Sequence, residues 1–209
     1  MKLLLVVATR AEIAPLLDHY HLGDEHFIQS PKFDVLITGV GIAATAFVLG
    51  QHLSLAYHTV LNVGIAGSFD REISLGDLVN VSTDSFAELG AESGDDFISI
   101  DELGFGKSNY TLAGAWIPDL PQVRAITVNT VHGNSATIER TLERLNPQIE
   151  SMEGAAICYA CEQLNIPALQ IRSISNYVEH RNTAKWEIGL AIQSLNNWLI
   201  NNLSLFLVK

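Results

Sequence analysis

Two carboxylates stand where a catalytic acid or base could be held. Glu12 follows the apolar run Leu3 to Ala8 by a few residues and falls in the first turn of the helical pattern that comes next. An acid there is either a solvated side chain favouring the helix N-terminus or a general base that activates water. Met152 and Glu153 open another helical pattern after the segment Pro147 to Ser151. The same two readings apply to Glu153, and a carboxylate can also accept from two vicinal hydroxyls and so grip a ribose. The densest polar set, RSISNYVEHR from Arg172 to Arg181, crowds the end of the last apolar run. Packing does not explain polar residues after a buried strand, whereas a solvated loop or a binding site would. A fourth segment, NVGIAGS from Asn62 to Ser68, puts Gly64, Ala66 and Gly67 directly after a strand run. Small residues there make either a plain turn or a surface on which a flat ligand can lie and hydrogen-bond to backbone.

These residues need a scaffold, and the hydrophobic pattern supplies one. Short continuous apolar runs occur at Leu3 to Ala8, Phe33 to Thr38, Thr59 to Val63, Leu78 to Ser82, Ala125 to Asn129 and Ala168 to Ile171. Their length and β-branching suit strands covered on both faces. Helical patterns lie between them at Ala11 to His19, Ile42 to Leu53, Ser135 to Leu145, Met152 to Leu164 and Trp186 to Leu205. Such alternation predicts an α/β fold, a largely parallel or mixed sheet flanked by helices, with ligands beyond the carboxyl ends of the strands. No repeat, low-complexity tract or linker divides the chain, so one domain over residues 1–209 is expected. The less regular segment Phe86 to Ala115 is either a long active-site loop or a small excursion from the sheet.

Composition narrows the function. Charged residues make up 17% of the 209 residues, against about 25% in an ordinary soluble domain, which suggests surface covered by another subunit. A formal charge of −11 without a Lys/Arg stripe disfavours nucleic acid and anionic membrane as partners. No apolar run reaches the length of a membrane span, and Arg10 and Glu12 interrupt the opening stretch too early for a secretory core, so a cytoplasmic protein is expected. Cys158 and Cys161 have CxxC spacing but lie within the apolar AAICYACEQL, which favours buried reduced thiols over redox or zinc chemistry. The histidines are scattered, so neither a metal nor an organic cofactor is implied. Gly39, Gly41 and Ala44 form GxGxxA, but Leu61 and Asn62 stand where a dinucleotide site would place an acid. A tight strand-to-helix turn with close backbone approach is the better account.

Taken in order, Glu12 after the first strand, NVGIAGS, SMEGAA and RSISNYVEHR resemble the purine nucleoside phosphorylase and nucleosidase superfamily from residue 1 to about 205. Within it, TRAEIAPL, GDLVNVSTDSFAELGAES and SNYVEHR look most like the futalosine hydrolase family. The resemblance implies a three-layer α/β/α domain, commonly a dimer or larger homo-oligomer. It implies hydrolysis of futalosine to hypoxanthine and dehypoxanthinylfutalosine on a route to menaquinone. By position, Glu12 corresponds to the acid that activates water, Met152 and Glu153 to the ribose-binding pair, and Ser175 and Asn176 to the pair beside the purine.

One departure carries chemistry. Nucleosidases that cut 6-amino purines have aspartate where this chain has Asn176. An amide NH2 suits the 6-oxo oxygen of hypoxanthine, and its carbonyl can accept from a protonated N7. Inosine-like substrates are therefore expected over adenosine-like ones. Asn176 cannot itself act as the acid, and the sequence names no other donor. Arg71, Lys107, Arg181 and Lys185 are candidates for binding the benzoate of futalosine, and Phe86 and Tyr177 for stacking on the purine. The rivals are a 6-oxopurine phosphorylase, with Arg10 and Arg172 as phosphate ligands, a methylthioadenosine or adenosylhomocysteine nucleosidase, and a non-catalytic nucleoside-binding protein of the same fold.

Overall fold

A computed structural model describes residues 1–94, 96–112, 117 and 119–207. The strands that matter are β1 (Lys2–Val7), β3 (Phe33–Ile37), β4 (Tyr57–Ser68), β5 (Leu78–Phe86), β9 (Gln122–Thr127), β10 (Ile149–Ser151) and β11 (Ala168–Tyr177). With β2 (Phe27–Ile28) at the edge and β8 (Asn109–Thr111) beside β5, they form a nine-stranded sheet in the order β10-β9-β5-β11-β4-β1-β3-β2. The helices are α1 (Arg10–His19), α2 (Ile42–His52), α3 (Ser135–Leu145), α4 (Gly154–Gln163) and α5 (Ile188–Asn202). Trp186 and Glu187 precede α5 rather than begin it, and a 3-10 turn, Leu203–Phe206, follows.

Strand alternation divides the core into two layers of contact. Leu3, Leu5 and Val7 of β1 pack with Ile13 and Leu17 of α1 and Leu195 and Leu199 of α5. Leu4 and Val6 of the same strand pack with Leu49 of α2 and Ile157 and Cys161 of α4. That arrangement is the expected three-layer α/β/α sandwich, and it explains why β1 reads as an unbroken apolar run. The sheet is mixed. β1 is parallel to β3 and β4, and β4 to β11, whereas β5 runs antiparallel to β11.

The short strand β10 has an unusual position. It pairs parallel with β9 and antiparallel with β4, so β4, β11, β5, β9 and β10 close into a ring. Ile149 faces Ala125 on one side and Ser68 on the other, and Glu150 faces Ile126 and Gly67. Two segments expected just after strands are therefore inside them. NVGIAGS continues β4 because β1, β11 and β10 all supply hydrogen-bond partners along its length. RSISNY continues β11, with a bulge between Ile174 and Asn176 that leaves Ser175 unpaired against β4. A bulge of this kind re-aims side chains at a strand end, and here it turns the polar pair Ser175 and Asn176 to the cavity.

The segment after β5 is an excursion. β6 (Gly90–Ser93) and β7 (Asp96–Ser99) form a separate hairpin, and β8 returns to β5. Ala113 to Ala115, the end of that expectation, lie outside the described residues. Cys158 and Cys161 are free and buried, and burial pushes the Cys161 thiol up to about 12. Buried, unpaired thiols of this kind are in keeping with the expected reduced core cysteines.

Candidate active site

Glu12 is placed by three elements at once. Thr9 is the N-cap of α1, and Glu12, three residues on, completes a capping box. Its Oε2 accepts from the Thr9 backbone N–H at 2.9 Å and the Thr9 hydroxyl at 2.8 Å, and its Oε1 from the Ile65 N–H of β4 at 3.1 Å. The helix-terminus role and the chemical role are thus compatible in one side chain. The backbone behind it is also anchored. Pro15 interrupts the ladder of α1, and the buried Asn196 amide of α5 accepts from Leu16 N–H and donates to the Glu12 carbonyl. An inserted side chain here replaces the bond that Leu16 and Glu12 would make in an unbroken helix.

Glu153 faces the same cavity from another direction. It is the N-cap of α4, its Oε1 accepts from Gly41 N–H at 3.0 Å, and Met152 N–H lies 3.3 Å from Oε2. Gly39 and Gly41 both have positive φ, and the turn they make presents that Gly41 donor to the carboxylate. The GxGxxA segment is therefore a strand-to-helix turn with close backbone approach, as expected. Burial raises the Glu153 pKa, the Arg172 guanidinium pulls it down, and Glu12 adds a further upward push.

Arg172 is 1% exposed, and its charge is felt at Glu153. A Cβ on Gly64 would collide with its guanidinium and come within 2.8 Å of Glu12 Oε1. Gly64 lies outside the cavity lining, so its contribution is to leave room for the arginine and the Glu12 carboxylate on either side of a bare backbone. Deeper still, Asp84 accepts from Thr127 Oγ1 and Gln170 Nε2, both at 2.8 Å, and Thr127 Oγ1 accepts from Ala155 N–H in the first turn of α4. Full burial pushes Asp84 up to about 6 against those hydrogen bonds.

Glu12, Ala66, Gly67, Met152, Glu153, Ser175 and Asn176 line one cavity of about 280 Å³. At its far end Ser175 Oγ donates to Asn176 Oδ1 at 2.8 Å, and Asn176 Nδ2 donates to the Tyr177 carbonyl at 3.2 Å. The amide is thereby held with its oxygen toward Ser175, leaving one N–H and one lone pair for a ligand.

Other expected positions differ. Phe86 meets Tyr110 edge-on, Tyr177 donates to the Ile73 carbonyl beneath Arg71, and neither ring lines the cavity. Trp186 does line it, as do His132 and Glu150. His132 Nδ1 is 2.5 Å from Glu150 Oε2, and the His132 N–H donates to Glu150 Oε1 at 3.0 Å. Thr9 was legible as a T-x-x-E cap signal; His132, isolated in a polar loop, carried none. Of the four cations, Arg71 and Lys185 pair with Glu179 and Lys107 with Glu162, whereas Arg181 sits over the Trp186 ring at 4.9 Å. Arg10 pairs with Asp24.

A mixed α/β/α sandwich with paired acids and a polar amide at the rim of its sheet defines a class, and the chain belongs to the phosphorylase superfamily, whose family model matches residues 2–206. A curated futalosine hydrolase from Streptomyces coelicolor is 33% identical over 184 residues, covering 79% of this chain and 76% of that protein. The futalosine hydrolase of Acidothermus cellulolyticus is 28% identical over 94% of this chain and 88% of its own. In fold, the chain matches a Helicobacter pylori MTAN variant solved with 5'-methylthioadenosine in its active site. The TM-score is 0.82 at 17% identity, over 97% of this chain and 98% of that one.

Proposed function

We propose that the chain hydrolyses the N-glycosidic bond of futalosine, releasing hypoxanthine. The observation that carries this reading is the convergence of Glu12, Glu153 and Asn176 on one cavity, together with the curated relatives that bear that name. Glu12, oriented by the Thr9 and Ile65 donors, takes the proton of a water that attacks the anomeric carbon. Glu153 accepts from the ribose hydroxyls beside Met152, and so fixes the sugar as positive charge develops on it. Ala66 and Gly67 leave room for the flat base, Ser175 orients the Asn176 amide, and that amide meets the 6-oxo and N7 edge of the purine.

Water is favoured over phosphate as the nucleophile because Arg172 is the only buried Lys or Arg among the described residues, and an incoming anion would face the Glu12 and Glu153 carboxylates in the same cavity. Arg181, beyond Trp186 at the cavity wall, is the cation for the benzoate end of the substrate. The outer face of α2 carries no acidic residue in its first turn and exposes Phe47 by 67%, and Val40 just before it belongs both to that surface and to the cavity wall. A second copy of the chain covers this face, and Phe47→Glu should yield a monomer in light scattering. No helix among the described residues is long and apolar enough to cross a membrane, which agrees with a cytoplasmic enzyme.

The test is incubation with futalosine, inosine and methylthioadenosine, each with and without phosphate, followed by chromatography of the released base. Hypoxanthine from futalosine without phosphate is expected. Release of adenine alone, or turnover only with phosphate, would overturn the reading.

A further inference from the structure

The Asn176 amide can hydrogen-bond to the base but cannot transfer a proton to it, yet a purine leaving with the electrons of the C1'–N9 bond needs one. We infer that Glu150, held by His132, is the acid that protonates the departing base. The inference rests on the proposed hydrolysis of a purine nucleoside and adds the missing half of its chemistry.

The pair is built as a unit from two parts of the chain. The His132 backbone N–H and Nδ1 grip the two oxygens of Glu150 at 3.0 and 2.5 Å, and Thr141 Oγ1 of α3 meets the other imidazole nitrogen at 2.9 Å. An imidazole lone pair and a carboxylate lone pair at 2.5 Å would repel, so a proton lies between Nδ1 and Oε2. When the Thr141 oxygen accepts from Nε2–H, that proton is free to pass to the carboxylate. The pair also lies at the correct end of the cavity. Gly67 has no Cβ, and Glu150 Cγ and Asn176 Nδ2 approach the vacant Cβ position to 3.5 and 3.1 Å. A base held by Asn176 therefore lies against Glu150, whose side chain is 3% exposed and lines the same wall.

The proton accounting closes. As the C1'–N9 bond breaks, its electron pair goes to the purine and the proton of the pair passes to N7, directly or through one water. The attacking water gives its hydroxide to C1' and its remaining proton to Glu12. After the base departs, the pair regains a proton from solvent and Glu12 releases one. Glu150 is the group that touches the substrate, and His132 and Thr141 act through it.

A buried ion pair could instead serve only to pin the 129–134 loop to β10, and the two roles separate by leaving group. Wild type, Glu150→Gln and His132→Gln are assayed on inosine, on 7-methylinosine, whose ring is already cationic, and on 4-nitrophenyl riboside, whose leaving group departs unprotonated. Both variants should lower kcat on inosine by about 100-fold, in the range of general acid catalysis, with KM little changed. Their loss on either activated substrate should be at least about tenfold smaller, since no protonation is needed there. Thr141→Val, which leaves the cavity wall intact, should show the same selectivity at smaller size. Equal losses on all substrates, or none on inosine, would overturn the assignment. Failure of the wild type to release base from any 6-oxopurine nucleoside would instead overturn the hydrolase reading itself.

Discussion

The two ends of the cavity are held by different means. At the sugar end, Glu12 and Glu153 are fixed mainly by backbone N–H groups of Thr9, Ile65 and Gly41. At the base end, Asn176, Ser175, Glu150, His132 and Thr141 fix one another largely through side chains. Backbone donors at strand and helix ends are part of the fold and tolerate sequence change elsewhere, whereas a side-chain relay depends on every member. On the proposed roles, the fold would set where the bond is broken, and the replaceable side chains which base is released.

The sharpest test of that division is at the sugar end. Glu12→Gln keeps the cap geometry but removes the base, and kcat should fall by about 10³-fold or more with little change in KM, measured by base release. An unchanged rate would place the water activator elsewhere. A second test probes what lies beneath. Because the Asp84 pKa is raised to about 6 by burial, the folded state holds its proton more tightly than the unfolded chain does. That stabilisation is present below the unfolded value and is lost as pH rises through about 6. Relative to Asp84→Asn, wild type should lose about 3 kcal/mol between pH 4 and 7 in denaturant titrations, as a two-unit shift requires. A pH-independent difference would show that Asp84 is charged throughout.

At the Asn176 amide the effects should be on the choice of base as well as on rate. Asn176→Asp should lower inosine cleavage by about 30-fold and raise the share of adenosine-type cleavage, because a carboxyl can accept from a 6-amino group where the amide NH2 cannot. Equal losses on both bases would break the proposed separation of the two ends. Smallest, Arg181→Ala should weaken futalosine binding by about fivefold through one exposed charge contact and leave inosine unaffected. Equal effects on the two substrates would move the benzoate site away from Arg181.

The same division explains what could be read without coordinates. Apolar runs gave β1 and β3 nearly to the residue and Ser135–Leu145 as α3, because burial on both faces and a 3.6-residue period leave local traces. Glu12 and Glu153 were legible because strand-end acids followed by helices are local patterns. The extension of β4 through Ser68 and of β11 through Tyr177 was not, since small and polar residues enter a strand only when neighbours distant in sequence pair with them. Likewise His132 and Glu150 stand 18 residues apart, and nothing local marks either as the other's partner. Trp186 as a cavity wall depends on how the chain enters α5, which periodicity placed slightly too early.

The three-residue strand β10 ties these regions together. Its middle residue is Glu150, and the next two after its end are Met152 and Glu153. Opening β10 would break the ring of strands and free Glu150, the proposed acid, together with Met152 and Glu153, the proposed ribose pair, in a single event. With those roles, recognition of the base and grip on the sugar would be lost together, and amide exchange at residues 149–151 would report the lifetime of the whole competent site.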